Sequence, residues 1–274
     1  MDKKPIVGSP CAYPPIYIKW GGYFMFKLFF NTVFYEPMYN GLILLLDVLP
    51  FSDLGLAVIG FTIIVKLILL PLSKKALETQ IQLKKIEPEI TKIREQYKKD
   101  PQTQGAKMME IYKTNSINPF SGFFLILVQL PIIFALYYIF LRGGLPVVNM
   151  DILYSFVKAP VEISMDFFGL VNLTEKSLVL AILAGLTQFL QIRASMPPTP
   201  EKKKLGERTF KDDMARSLSL QMKYVMPVVI GVFAYGLASV VALYWTTSNV
   251  FGLGQEYFIR RRIYAKHNID KPKS

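Results

Sequence analysis

Few residues in this chain could do chemistry, and the most conspicuous is Lys66. It sits in FTIIVKLILLPLS, residues 61–73, with apolar residues on both sides and Pro71 marking the end of the run. An ammonium at the centre of an apolar helix costs about 2.5–3.5 kcal/mol on insertion scales, so such a cation is a functional-site candidate by default. Thr62 stands four residues earlier and shares its helix face. Other polar side chains inside apolar runs are Gln129, Gln188, Gln191, Thr247 and Asn249. They line a polar interior or serve as hydrogen-bonding glue between helices. Phe134, Tyr244 and Trp245 are exposed-flank candidates, or ordinary packing and interface aromatics. The chain has one histidine, His267, and one cysteine, Cys11. That excludes an internal disulfide, a cysteine-based metal cluster and a His-based catalytic or zinc site. No P-loop, metal-ligand spacing or Ser/His/Asp set is present, so the sequence predicts neither an enzyme nor a cofactor.

The elements that must position these residues are apolar helices. Hydrophobic residues make up 52% of the chain and the mean hydropathy is +0.32, which points to an all-α polytopic membrane protein. Residues 1–36 read as an extracytoplasmic, aromatic-rich interfacial segment, and 37–50 as an interfacial amphipathic helix on the outer face. Five spans follow: 53–73, 119–141, 174–195, 219–236 and 240–258. Between the first two lies a helical hairpin, 74–117, with an apolar stripe from Leu77 to Ile93 and a break at Asp100, Pro101 and Gly105. Pro88 is expected at an early turn or kink of it. Residues 142–173 read as an outer loop, 196–218 as a charged loop and 259–274 as a basic tail.

Lys and Arg placement sets the orientation. The hairpin, the stretch from Arg193 to Lys223 around the second loop, and the tail carry 24 of the 32. The positive-inside rule makes those segments cytoplasmic and places the N-terminus outside, in a multi-pass protein of the cell membrane. The net charge of +12 is largely this asymmetry. A basic tail of this kind also suits phosphate attraction to ribosomal RNA.

Four ordered blocks resemble the YidC/Oxa/Alb family of membrane protein insertases. They are IIVKLILLPLSKKALETQ, KKIEPEITKIREQYKKDPQ, MMEIYKTNSINPFSGFFLILVQLPIIFALYYIF and MPVVIGVFAYGLASVVALYWTTSNVFGLGQ, and the likeness covers roughly 37–262. It implies a five-helix bundle with a hydrophilic groove open to cytoplasm and lipid and closed on the outer side. The groove of the family carries a basic residue, usually arginine; the matching position here is Lys66. Lysine keeps the charge without the planar five-donor fork. The family's large outer domain has no counterpart in this sequence. The implied function is insertion and chaperoning of nascent membrane proteins without nucleotide hydrolysis. Groove candidates are then Thr62, Lys66, Gln129, Gln188, Gln191, Thr247 and Asn249, with Phe134, Tyr244 and Trp245 as the client slide. Candidate partners are nascent membrane proteins, membrane lipids, the ribosome through the basic tail and loops, the Sec translocon and the signal recognition particle receptor. The rival reading is a transporter or channel with a cationic intramembrane anion site, or a scaffold whose hairpin docks a partner. No inverted repeat supports the transporter. No acidic residue is expected in the core of a span, so Lys66 is expected hydrated and unpaired at rest.

Overall fold

The computed structural model describes residues 25–49, 52–118, 121–142, 145–196 and 210–267. The expected N-terminal segment up to residue 24, most of the charged loop and the last seven residues lie outside the described residues. Most described residues are helical, the main exception being the stretch 145–177. The helices are α1 (Glu36–Val48), α2 (Leu54–Ile68), α3 (Leu70–Gln96), α4 (Pro101–Thr114), α5 (Ser121–Arg142), α6 (Leu178–Ser195), α7 (Phe210–Leu220), α8 (Met226–Gly236) and α9 (Ser239–His267). A short antiparallel hairpin, β1 (Asp166–Phe167) with β2 (Val171–Asn172), corrects the purely helical expectation. Phe168 and Gly169 turn it at positive φ, where glycine carries no steric penalty.

Helices α6 and 216–236, the latter running from α7 through α8, are each long and apolar enough to cross a membrane. The α2 and α3 pair becomes a third candidate if its 60° bend lies within one broken span. Pro71, which marks the end of the apolar run, does not break the helix that continues through it. It occupies the first turn of α3, where its missing N–H leaves no bond broken, and the chain bends at Leu69 instead. Pro88 sits inside α3. The region expected as a loop before residue 219 is helical from Phe210, and the expected tail continues α9 to His267.

The core runs through α1, α2, α5, α6, α8 and α9. The segment expected as an interfacial helix buries Tyr39, Leu42, Ile43 and Leu46 completely. It is therefore packed into one end of the bundle. The polar groups there are satisfied by the loop after α5. Asn40 donates to Ile152 O at 2.8 Å and accepts from Tyr154 N at 2.7 Å, and the Tyr39 hydroxyl accepts from Asn149 N at 2.8 Å. Asp53 caps α2 by accepting from Gly55 N at 2.7 Å and Leu56 N at 3.1 Å, and takes Phe168 N on its other oxygen at 2.9 Å. These bonds close this end: buried polar groups must find partners, and here loop and helix supply them to each other.

At the opposite end α3 and α4 pack on each other through Ile86, Ile90, Met108, Ile111 and Tyr112. A second small cluster, Ile81 with Ile259 and Ile263, ties α3 to the end of α9. Within the bundle, α6 and α8 meet backbone to backbone. A Cβ on Gly185 would lie 3.1 Å from Pro227 O, and one on Gly231 3.4 Å from Ala181 O. Small residues allow this approach, and dispersion and lipid release rather than the hydrophobic effect drive it in a bilayer.

Candidate functional site

Lys66 stands twelve residues into α2 from Leu54, about 18 Å along the axis at ~1.5 Å per residue. It lies half-buried, three residues before the bend. Among the described residues no carboxylate lies within ion-pair distance of it. Thr62, one turn earlier on the same face, is 1% exposed, and its hydroxyl donates to Val58 O of its own helix at 2.6 Å. That hydroxyl is thus bonded within the helix, and the face opens only at Lys66.

The other polar candidates fall into a set around α9. The Gln129 amide of α5 donates to the Tyr244 hydroxyl of α9. Asn249 donates to the Thr187 hydroxyl of α6 at 3.3 Å, and Thr247 bonds Leu243 O of its own helix at 2.8 Å. Gln191 lies over Gly252, whose hydrogen leaves room for the amide: a Cβ there would meet Nε2 at 2.5 Å. Gln188 is half-buried on α6 with no bond to these residues among the described ones. So Gln129, Thr187, Gln191 and Asn249 join α5 and α6 to α9 rather than standing as separate polar side chains. Thr187 was not singled out from the sequence; its place one residue before Gln188 was the available signal.

The proposed slide divides. Phe134 is 53% exposed, on the same outward face of α5 as Leu127 and Leu130. Trp245 is half-buried, edge-on to Phe233 of α8 at 6.0 Å. Tyr244 is only 3% exposed and points into the bundle instead of towards lipid. The sequence places Tyr244 and Trp245 side by side, but adjacent helical positions face about 100° apart, so only one could point inward.

A charged cluster at the end of α9 was missed. Glu256 is 4% exposed and holds Arg260 at 2.7 Å through both Nε and Nη2. The Ser195 hydroxyl at the end of α6 donates to its second oxygen, and Arg260 reaches Ser195 O at 3.5 Å. Burial, and then the Arg260 guanidinium, hold nearby Lys84 of α3 below the ordinary lysine value, with Glu256 and Glu87 pulling partly back. Glu256 lies at the edge of 240–258 rather than in its core, and its partner is Arg260, not Lys66. The i, i+4 spacing of Glu256 and Arg260 was the signal, hidden because Arg260 belongs to the basic run read as topology.

The family model for the 60Kd inner membrane protein matches residues 47–267, most of the chain and all of these residues. The chain belongs to the YidC family of membrane protein insertases. A Membrane protein insertase YidC of Clostridium tetani is 31% identical over 222 residues, covering 81% of this chain and 88% of that protein. That of Fusobacterium nucleatum is 33% identical over 214 residues, 77% and 88% of the two. That of Wolinella succinogenes is 30% identical over 239 residues, 86% of this chain but 39% of the longer relative. Membership and the apolar helices together make the chain an integral protein of the cell membrane. The rows Leu127, Leu130 and Phe134 on α5, and Ile64, Leu67 and Ile68 on α2, form outward apolar surface.

Proposed function

We propose that this chain inserts nascent membrane proteins through a hydrated groove in which Lys66 is the electrostatic centre. Its curated relatives bear the name insertase. The observation that carries the groove reading is Lys66 itself: half-buried, in the last turn of an apolar helix just before the bend, and without a carboxylate partner among the described residues. A buried cation without a counter-ion is costly unless water or a ligand supplies the missing interaction. Acidic residues in the translocated flank of a client would supply it, at about 1–4 kcal/mol between the limits of bulk water and a protein surface for charges ~4 Å apart. The client's apolar segment then leaves along the lipid-facing flank near Phe134 and Trp245. Hydrophobic transfer into lipid drives the step, so no nucleotide and no covalent intermediate is required.

In this reading the bundle has five spans, a cytoplasmic α3–α4 hairpin and basic tail, and an extracytoplasmic N-terminus. Gln129, Gln188, Gln191, Thr247 and Asn249 supply the polar wall, with Thr62 as support beneath Lys66. The ribosome, the Sec translocon and the signal recognition particle receptor are the partners to test at the basic surfaces. The deciding experiment is reconstitution into proteoliposomes with a short single-span client bearing acidic residues in its translocated flank, without ATP or GTP. Wild type and Lys66→Arg should insert it, and Lys66→Ala should slow insertion by about tenfold or more, the equivalent of 1.4 kcal/mol. Insertion no better than into bare lipid overturns the insertase reading; full activity of Lys66→Ala overturns the groove cation alone.

A further inference from the structure

A cavity of 590 Å³ lies between the first turns of α3 and the last third of α9. Its wall is of two kinds. Leu70, Phe251 and Phe258 give it an apolar side, while Lys74 and Arg262 bring two cations to its rim. Glu78 also lines it but already faces Lys74 at 4.0 Å. Gln255 also lines this space, with its amide nitrogen buried behind the wall.

The depth of the cavity narrows the choice of occupant. Leu70 follows the 60° bend, where the apolar run of α2 gives way to Lys74, Lys75 and Glu78. On α9 the same cavity runs from Phe251 to the arginines at 260–262. In the five-span reading proposed above, on which this inference rests, this is the boundary between hydrocarbon and charged surface. A free anion would leave the phenylalanines unused, and a neutral lipid would leave the cations unanswered. The volume equals on the order of twenty waters at ~30 Å³ each, more than a phosphate group needs.

We infer that this cavity binds an anionic phospholipid. The phosphate lies between Lys74 and Arg262, and the start of one acyl chain runs along Leu70, Phe251 and Phe258. The site rests on the membrane depth of α2 and α9, not on the client reading, so either can fail alone.

The test is native mass spectrometry of the delipidated full chain, titrated with phosphatidylglycerol or with phosphatidylcholine of the same acyl chains. Wild type should retain phosphatidylglycerol preferentially. The double variant Lys74→Gln/Arg262→Gln should weaken that retention about 30-fold, from about 1 kcal/mol per cation near an anionic surface at 1.4 kcal/mol per tenfold. Lys74→Arg/Arg262→Lys should retain it, and Lys113→Gln, outside the cavity wall, should leave retention unchanged. Inorganic phosphate in excess should fail to displace the lipid; displacement would show a bare anion site and overturn the inference. Equal retention of both lipids, or unchanged retention in the double variant, overturns it too. So does a client transmembrane peptide that binds in a Lys74- and Arg262-dependent way while phosphatidylglycerol does not.

Discussion

Replacing Glu256 by Ala should destabilise the protein more than any other single surface-to-core change at the α9 end. The side chain is 5% exposed and its partner Arg260 15%, so neither is well solvated. Truncating the carboxylate leaves the Arg260 guanidinium half of a buried pair, the Ser195 hydroxyl without its acceptor and Lys84 with Glu87 but no longer Glu256 nearby. Breaking one side of a buried ion pair costs about 3–5 kcal/mol. At ~2–4 °C per kcal/mol for a chain of this size class, the thermal midpoint in detergent should fall by about 10 °C. The cost comes from the charge left behind rather than from the pair's net worth. Glu256→Leu with Arg260→Leu should therefore recover most of the loss, because the uncompensated cation is gone. Glu256→Gln keeps one acceptor oxygen, turns the other into an NH2 donor and loses the charge, and should fall between. A thermal midpoint for Glu256→Ala within a degree or so of wild type would refute this reasoning, as would a double variant no more stable than the single one.

Gly185→Leu should force α6 from α8, because even a Cβ would sit 3.1 Å from Pro227 O; about 1–3 kcal/mol of lost stability should appear as a lower thermal midpoint. Gly55→Val should be as damaging, since a Cβ there would overlap the Phe167 ring at 2.1 Å; the readout is loss of folded protein in size-exclusion chromatography. Asp100 caps α4, and the Thr103 hydroxyl at 2.5 Å, followed by backbone N–H groups, holds its carboxyl below the ordinary carboxylate value. The unfolded chain binds that proton first as pH falls, so the cap is fully present above the ordinary value and is lost as pH drops through the lower folded one. Amide exchange at 102–104 should speed up in that acidic window, and Asp100→Asn should flatten the dependence. Tyr244→Phe removes the acceptor for Gln129 and should cost about 0.6–1.7 kcal/mol, as interhelical bonds in bilayers do, measured against Gln129→Leu in a double-mutant cycle.

Much of this protein was legible in one dimension. Apolar run lengths mark the helices that face lipid, because a bilayer demands about 20 apolar residues of a spanning helix whatever it packs against. Lys and Arg placement bears on orientation for a similarly local reason, and Lys66 stood out because its cost depends on depth alone. The ordered blocks carried the family. What the sequence left open was rotation and partnership. A helix apolar all round reveals its length but not which side meets protein. Only packing turned Tyr244 inward beside Gln129 and left Phe134 outward. Only packing set Gly185 against Gly231, and put Ser195 sixty-one residues away onto the Glu256 carboxylate. The bend at Leu69 was equally hidden, since Pro71 suits the end of one helix and the first turn of the next. Composition and spacing thus determined that this chain lives in a membrane with one cation in an apolar helix. The tertiary structure decided which polar groups are spent on one another and which, like Lys66, are left without a counter-charge among the described residues.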